Sequence, residues 1–125
     1  MGDVIFTDRE LDVMAVLWDR GPSTVADVRD GLADDLAYTT VLTILRTLEE
    51  KGHVAHEEEG RAYRYRALVE RGEAQGSALD RLRTKLFSGS TELLLAHLVA
   101  DQDLSEEELE RLRKLLDERL GGGDT

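Results

Sequence analysis

Apolar residues recur at helical spacing near the start of the chain, in a segment bounded by residues that begin and end helices. Thr7-Asp8-Arg9-Glu10 has the pattern of a capping box, in which a threonine begins a helix and a glutamate follows three residues later. Gly21-Pro22 ends this first helix after Arg20. The apolar face of the helix is expected to comprise Leu11, Met14, Leu17 and Trp18.

A second and a third helix follow within a few residues. Either Ser23 or Thr24 begins the second helix, whose apolar positions are Val25, Val28 and Leu32. After a short connection over residues 33–36, the pattern predicts a third helix over residues 37–52, with Gly52 as its stop signal. Helix, helix, short turn and helix is the order of a helix-turn-helix motif.

The third helix has an unusual polar surface. Its inward positions are Val41, Ile44, Leu45 and Leu48. Threonine costs a helix roughly half a kcal/mol per residue against alanine, so four threonines in this helix need a compensating role. A hydroxyl beside a methyl group suits phosphates and thymine methyl groups in a DNA major groove. The pattern therefore predicts a DNA-reading helix, and its candidate contacts are Tyr38, Thr39, Thr40, Thr43, Arg46 and Thr47.

Two strand patterns follow, over residues 53–59 and 61–67, with Gly60 as the turn between them. The second alternates aromatic or small residues with arginine. One interpretation is a plain hairpin with one solvated face, and the other is a wing whose tip touches DNA beside the third helix. Three arginines within six residues of so acidic a chain favour the wing. Its candidate DNA contacts are Arg61 and Arg64.

From Val69 onward the pattern is helical, in three leucine-rich segments. Ser88-Gly89-Ser90 separates the first two, and Ser105-Glu106-Glu107-Glu108 is a capping box for the last. About 50 residues are too few to bury this much leucine alone. The segments either pack back on the first lobe or form a dimerisation lobe shared by two copies, and we favour the second. The expected dimerisation residues are Leu79, Leu82, Leu86, Phe87, Leu94, Leu95, Leu98, Leu109, Leu112 and Leu116.

The expected fold is mainly α with a small β-hairpin. A winged helix-turn-helix DNA-binding domain is predicted over residues 1–72. A helical dimerisation domain of three helices follows over residues 73–120, and residues 121–125 form a flexible tail. A two-fold dimer would bring two reading helices to the two half-sites of a palindrome.

Charge and composition narrow the function. The net charge is −11, and dividing the chain at Gly72 leaves nine basic and fifteen acidic residues before the division and seven and twelve after it. Both halves are acidic, which favours an alternative interpretation of the chain as a protein-interaction module without specific DNA binding.

The composition also limits the chemistry of the chain. The chain has no cysteine, and we expect neither a metal site nor a cofactor. No nucleophile–base pair or Gly-rich phosphate loop stands out, so we do not expect an enzyme. Without an apolar run of about 20 residues or a secretory signal, the chain is expected to stay in the cytoplasm and out of membranes.

Several segments together resemble the BlaI/MecI family of bacterial repressors. The resemblance spans roughly residues 5–120, and it lies in Leu11-Asp12-Val13-Met14-Ala15-Val16-Leu17-Trp18, Thr24-Val25-Ala26-Asp27-Val28, Tyr38-Thr39-Thr40-Val41-Leu42-Thr43-Ile44-Leu45, Lys51-Gly52, Gly60-Arg61-Ala62-Tyr63 and Phe87-Ser88-Gly89. It implies a homodimer that binds an inverted repeat of double-stranded DNA in a promoter and blocks transcription. In antibiotic-responsive members, a membrane sensor detects a β-lactam and the repressor is then cleaved in its dimerisation lobe.

The resemblance implies a DNA-contacting role for some of the candidate residues, which occupy the same positions as the family's contact residues. Thr39, Thr40 and Thr43 match the reading-helix positions of the family, and Arg61 matches its wing position. The family commonly has Thr-Arg-Leu where this chain has Arg46-Thr47-Leu48, an order that puts the arginine on the outer face of the helix. The Asn-Phe junction cleaved in antibiotic-responsive members aligns with Ala96-His97, a different pair.

Overall fold

The computed structural model describes residues 4–101 and 103–121. In chain order its elements are α1 (Asp8–Arg20), β1 (Ser23–Thr24), α2 (Val25–Gly31), α3 (Tyr38–Glu50), β2 (Val54–Glu59), β3 (Ala62–Ala67), α4 (Arg71–Leu86), α5 (Thr91–Val99) and α6 (Glu106–Gly121). The expectation of a mainly helical chain with a small hairpin is confirmed. Of the predicted tail, Gly121 is the last residue of α6, and residues 122–125 lie outside the described part of the chain.

The first two helices begin as their sequences predict. Thr7 and Glu10 form a complete capping box at α1, since each side chain accepts the backbone N–H of the other residue. Thr24, and not Ser23, caps α2 in the same way with Asp27. These caps satisfy backbone donors that would otherwise lack partners in the first turn.

The sheet has three antiparallel strands in the order β1-β3-β2, one more than the predicted hairpin. The hairpin register runs from Val54 opposite Ala67 to Glu59 opposite Ala62. Its turn uses Gly60 at φ +64°, in the left-handed region that favours glycine. The added strand, β1, pairs Ser23 with Tyr65 on the other side of β3. Because β1 is only two residues long, it leaves no periodic signal in the sequence.

The core lies where α1, α2 and α3 meet the sheet. Its fully buried side chains are Val13, Met14, Val28, Val41, Leu45, Leu48, Val54 and Tyr65. The predicted inner face of α1 was wrong at Leu11, which is 40% exposed. The inward stripe instead runs through Glu10, Val13, Met14 and Leu17. Because a charged residue, Glu10, occupies the inward position of the first turn, the positions of the apolar residues alone predict the wrong rotation of α1 about its axis.

The chain divides into two compact units, one ending at Leu79 and the other beginning at Asp80. The first contains the helix-turn-helix and the sheet, and α4 starts in it. The second contains the end of α4 with α5 and α6. Ser90 caps α5, and the Phe87 and His97 rings meet edge to face at a centroid distance of 5.3 Å. The predicted boundary between residues 72 and 73 concerns the division of function, and it stays a prediction. Within the described residues, every helix is too short or too polar to span a membrane.

Candidate nucleic-acid interface

Helix α3 is anchored by one face and presents the other to solvent. Val41, Leu45 and Leu48 are fully buried against the core. The outward side of α3 carries three exposed candidates, Thr39, Thr43 and Arg46. On its flanks, Tyr38 and Thr40 are exposed and Thr47 is half-buried.

The N-terminus of α3 differs from those of α1 and α2. Its N-cap, Ala37, makes no side-chain cap, and the first turn of this fully described helix contains no acidic residue. The backbone N–H groups of Tyr38, Thr39 and Thr40 precede the first intrahelical donor, Val41, whose N–H donates to the Ala37 carbonyl. Uncapped donors at the positive end of a helix dipole suit a phosphate oxygen.

Two threonine hydroxyls donate within the helix. Thr43 Oγ1 donates to the Thr39 carbonyl at 2.9 Å, and Thr47 Oγ1 donates to the Thr43 carbonyl at 3.0 Å. With its proton used internally, the Thr43 hydroxyl offers an outside partner its lone pairs and the adjacent methyl group. An exposed threonine bonded in this way suits a base amino group or a thymine methyl better than it suits an acceptor.

The arginines of the hairpin divide into two kinds. Arg64 donates to the Glu59 carboxylate and, at 3.0 Å, to the Pro22 carbonyl, and the Glu59 contact raises the pKa of Arg64. Arg66 lies 3.7 Å from a Glu57 carboxylate oxygen. Among the residues that the structure describes, Arg61 at the tip makes no ion pair. Arg61 is thus the hairpin arginine with its charge available, while Arg64 joins the hairpin to Pro22, the residue before β1.

Glu49 of α3 contacts the hairpin through His56, which sequence reasoning did not single out. His56 Nδ1 lies 2.6 Å and 2.8 Å from the two Glu49 carboxylate oxygens. The His56 ring packs on Tyr63 and Tyr65, at centroid distances of 4.6 Å and 5.3 Å. Burial, followed by the Glu49 charge, raises the pKa of Tyr65. No sequence spacing marks this cluster, because its members come from three different elements.

A second unforeseen pair joins α1 to the end of α3. Lys51 Nζ donates to both Glu10 carboxylate oxygens, at 2.8 Å and 2.9 Å, and Glu10 is only 4% exposed. Burial acts to raise the pKa of Glu10, but the hydrogen bonds from Lys51 and Thr7 with the Lys51 charge outweigh it and lower that pKa. This pair ties the C-terminus of α3 to the capping box of α1.

The predicted dimerisation residues are mostly at the surface of the single chain. Leu94 is buried, and Phe87, Leu95 and Leu112 are half-buried. The exposed members are Leu79, Leu82, Leu86, Leu98, Leu109 and Leu116. All of the predicted residues except Leu79 belong to the second unit.

Residues 6–118 match the penicillinase repressor family. The chain is 38% identical over 119 residues to the transcriptional regulator BlaI of Mycobacterium tuberculosis, covering 92% of this chain and 85% of that protein. It is 23% identical over 112 residues to the methicillin resistance regulatory protein MecI of Staphylococcus aureus, covering 88% of this chain and 91% of that protein.

Solved structures give the same fold. A MarR family protein from Bacillus stearothermophilus superimposes with a TM-score of 0.54 at 20% identity, covering 98% of this chain and 78% of that one. BpsR of Bordetella bronchiseptica gives a TM-score of 0.54 at 16% identity, covering 95% of this chain and 83% of that one. At such low identity, these two structures support the winged-helix fold alone.

Proposed function

The chain belongs to the penicillinase repressor family of DNA-binding transcriptional repressors, and on that premise we propose that it binds a palindromic promoter operator as a homodimer. The observation that carries the proposal is the surface of α3. That surface combines an uncapped N-terminus, exposed threonines and an exposed arginine on a helix held rigidly by its opposite face. A rigid helix with short side chains fits the major groove.

We assign a role to each group of candidate residues. Tyr38, Thr39 and Thr40 contact phosphate at the N-terminus of α3, where the backbone donors also point. Thr43 contacts a base edge through its methyl group and lone pairs. The remaining candidates, Arg46, Thr47, Arg61 and Arg64, supply phosphate contacts along the helix and hairpin. Arg61 contributes more than Arg64 because its charge is available. Phosphate contacts fix the register, and base contacts give the sequence preference.

The acidic charge of the chain is compatible with this proposal. At physiological salt the screening length is about 8 Å, so carboxylates farther than this from the bound phosphates act weakly. Close to α3, ion pairs with Arg64 and Arg66 partly neutralise two carboxylates of β2, Glu59 and Glu57. The overall charge of −11 then acts mainly against non-specific binding.

The exposed leucines of the second unit support dimerisation. A monomer rarely leaves a large apolar patch in water, whereas stable homodimers bury such patches between copies. Pairing through the second unit would give the protein two copies of α3 in two-fold symmetry, which matches an inverted repeat. Two linked contacts gain roughly 10²–10⁴ in avidity over one.

Relief by proteolysis in the second unit is a further part of the proposal. Cutting the chain there would separate the two DNA-binding units and remove their joint affinity. Ala96-His97, the pair that aligns with the family junction, lies inside α5, where the Ala100 N–H donates to the Ala96 carbonyl. Cleavage at this bond therefore requires local unwinding of α5. A protease pathway driven by a membrane sensor would supply the cut in the cytoplasm.

Footprinting of the purified chain on the DNA upstream of its own gene tests the proposal. We expect two protected half-sites related by a two-fold axis, and binding that weakens steeply as salt rises. A gel shift without any site preference at low salt would contradict specific DNA binding.

The negative net charge favours one alternative function. In this alternative, the chain is a winged-helix module that binds a partner protein and does not bind DNA specifically. Neutralising Arg46, Arg61 and Arg64 together separates the two functions. Repression of a reporter fused to the upstream region should be lost if the chain acts through DNA. Full repression by the triple variant would favour the partner module.

A further inference from the structure

Beyond its buried base, the hairpin is supported at two places. Strand β3 pairs with β1 and donates to the Pro22 carbonyl through Arg64, and β2 contacts α3 through His56. Val54 and Tyr65, at the base, are buried in the core. Residues 57–63, which form the tip, are all exposed. His56 is the last residue of β2 before this exposed stretch. Its contact with Glu49 is therefore the outermost side-chain tie that the structure gives between the hairpin and α3.

A small change at the Glu49–His56 contact would move the tip of the hairpin by a larger distance. Gly60 is four positions after His56, and at about 3.4 Å per residue the tip extends roughly 14 Å beyond the tie. A tilt of about 10° at the tie would displace the tip by roughly 2 Å. Such a shift is comparable to the difference between a formed and a broken hydrogen bond, so the direction of the hairpin decides whether Arg61 reaches a phosphate.

The chemistry of the pair suits a fixed contact. The Glu49 carboxylate accepts from the His56 Nδ1–H, which sets the imidazole tautomer and the ring orientation. The ring is held on its other side by Tyr63 and Tyr65. Both Glu49 and His56 side chains are only one-third exposed, so water competes less for this bond than for one at the surface.

We propose that Glu49 and His56 are positioning residues that set the direction of the hairpin against α3 and so place Arg61 for DNA contact. This inference rests on the proposed DNA-binding function. It predicts energetic coupling between the pair and Arg61, although neither Glu49 nor His56 needs to touch DNA. A purely stabilising pair would affect folding and leave the contribution of Arg61 unchanged.

Operator affinities of the full-length chain, measured by fluorescence anisotropy at fixed salt, test the coupling. Glu49→Ala removes the tie, and Glu50→Ala, at the exposed neighbouring carboxylate, is the matched control for the loss of one negative charge. We expect Glu50→Ala to leave affinity unchanged or slightly higher, and Glu49→Ala to weaken it about fivefold. Arg61→Ala should weaken binding about tenfold in the wild-type background and less than about twofold in the Glu49→Ala background.

Variants at His56 separate the hydrogen bond from the ring. His56→Asn keeps a donor close to the position of Nδ1, and we expect it to retain most of the affinity. His56→Leu keeps bulk without a donor, and it should behave like Glu49→Ala. Trp18 fluorescence, from the single tryptophan, checks that the first unit of each variant is folded.

The outcomes distinguish the two levels of the proposal. If Arg61→Ala costs the same factor in both backgrounds while the wild type binds its operator, the positioning role is wrong and the proposed function stands. If the wild type shows no site preference on DNA, both the positioning role and the proposed DNA-binding function are overturned.

Discussion

The two compact units use their apolar residues in opposite ways. In the first, eight large side chains from three helices and two strands are fully buried around Met14, Leu45 and Tyr65. In the second, Leu94 is the one buried large apolar residue among those described. Many others are exposed: Leu82, Leu86, Leu93, Leu98, Val99, Leu109, Leu115, Leu116 and Leu120. The first unit has a complete core within one chain, whereas the apolar surface of the second is left without cover in the described chain.

This difference teaches what an apolar stripe can and cannot predict. The spacing of leucines in α6 identifies the residues that share a face, but it says nothing about what covers that face. Burial of apolar surface contributes about 25 cal/mol per Å² of favourable free energy. An exposed apolar stripe therefore favours association with another surface. In the first unit the cover is the sheet, and in the second we propose that it is another copy of the chain.

The largest expected effect comes from a charge placed on the uncovered surface. Leu116 in the second unit and Leu68 in the first are almost equally exposed, at 49% and 48%. Leu116→Lys should dissociate the dimer and weaken operator binding by roughly 10²-fold or more, because the avidity of two linked contacts is lost. Leu68→Lys, the matched control, should leave the dimer intact. Sedimentation velocity and gel shifts measure both, and equal effects of the two variants would remove the contrast between the units.

The next effect concerns the core of the first unit. Leu45→Ala should lower its free energy of unfolding by about 2–5 kcal/mol, because Leu45 is fully buried between α3 and the rest of the core. Leu11→Ala, at an exposed site, should cost less than about 1 kcal/mol. Urea unfolding followed by Trp18 fluorescence measures the change. A large loss for Leu11→Ala would restore the inner face of α1 that the sequence alone predicted.

The buried Glu10 predicts a dependence of stability on pH. Because the folded-state pKa of Glu10 lies below its ordinary value of 4.5, ionised Glu10 stabilises the fold above that value, and this stabilisation is lost as pH falls through the lowered pKa. Glu10→Gln should cost about 2 kcal/mol at pH 7, and the difference from the wild type should shrink toward pH 3. Asp8→Asn, at an exposed carboxylate of the same turn, is the control. A Glu10→Gln deficit that is constant between pH 7 and pH 3 would contradict this role of the ion pair.

The smallest expected effect is that of a substitution on the outer face of α3, which should change DNA affinity without lowering stability. Thr43→Ala should lower operator affinity by about tenfold and weaken discrimination at one base pair, because the methyl group and the hydroxyl acceptor are lost. Its thermal stability should be equal or slightly higher, since alanine is the better helix former. Thr84→Ala, at an exposed position in the last turn of α4, should change stability in the same direction without loss of affinity. If both variants bind like the wild type, Thr43 has no part in recognition.

The predictable part of the fold was the part encoded by neighbouring residues. The capping box from Thr7 to Glu10, the stop at Gly52 and the turn at Gly60 depend on residues within a few positions, and each was confirmed. The buried face of α3 was also predictable, because Val41, Leu45 and Leu48 follow helical spacing.

What the sequence did not reveal depends on contacts between distant segments. Strand β1 exists through its pairing with β3, some 40 residues later. The inward position of Glu10 depends on Lys51, which is 41 residues away. At the candidate site, the exposed surface of α3 followed from periodicity, whereas the Glu49–His56 tie and the internal partners of Arg64 required the folded hairpin. The assignments of individual DNA contacts stay predictions.

The central claim is that a second copy of this chain covers the apolar surface of the second unit and pairs the two reading helices. Sedimentation equilibrium of the purified wild-type chain, at micromolar concentration and without DNA, tests it most directly. We predict a mass twice that of one chain for the wild type and a mass half as large for the Leu116→Lys variant. A wild-type mass equal to one chain throughout the micromolar range would contradict the account.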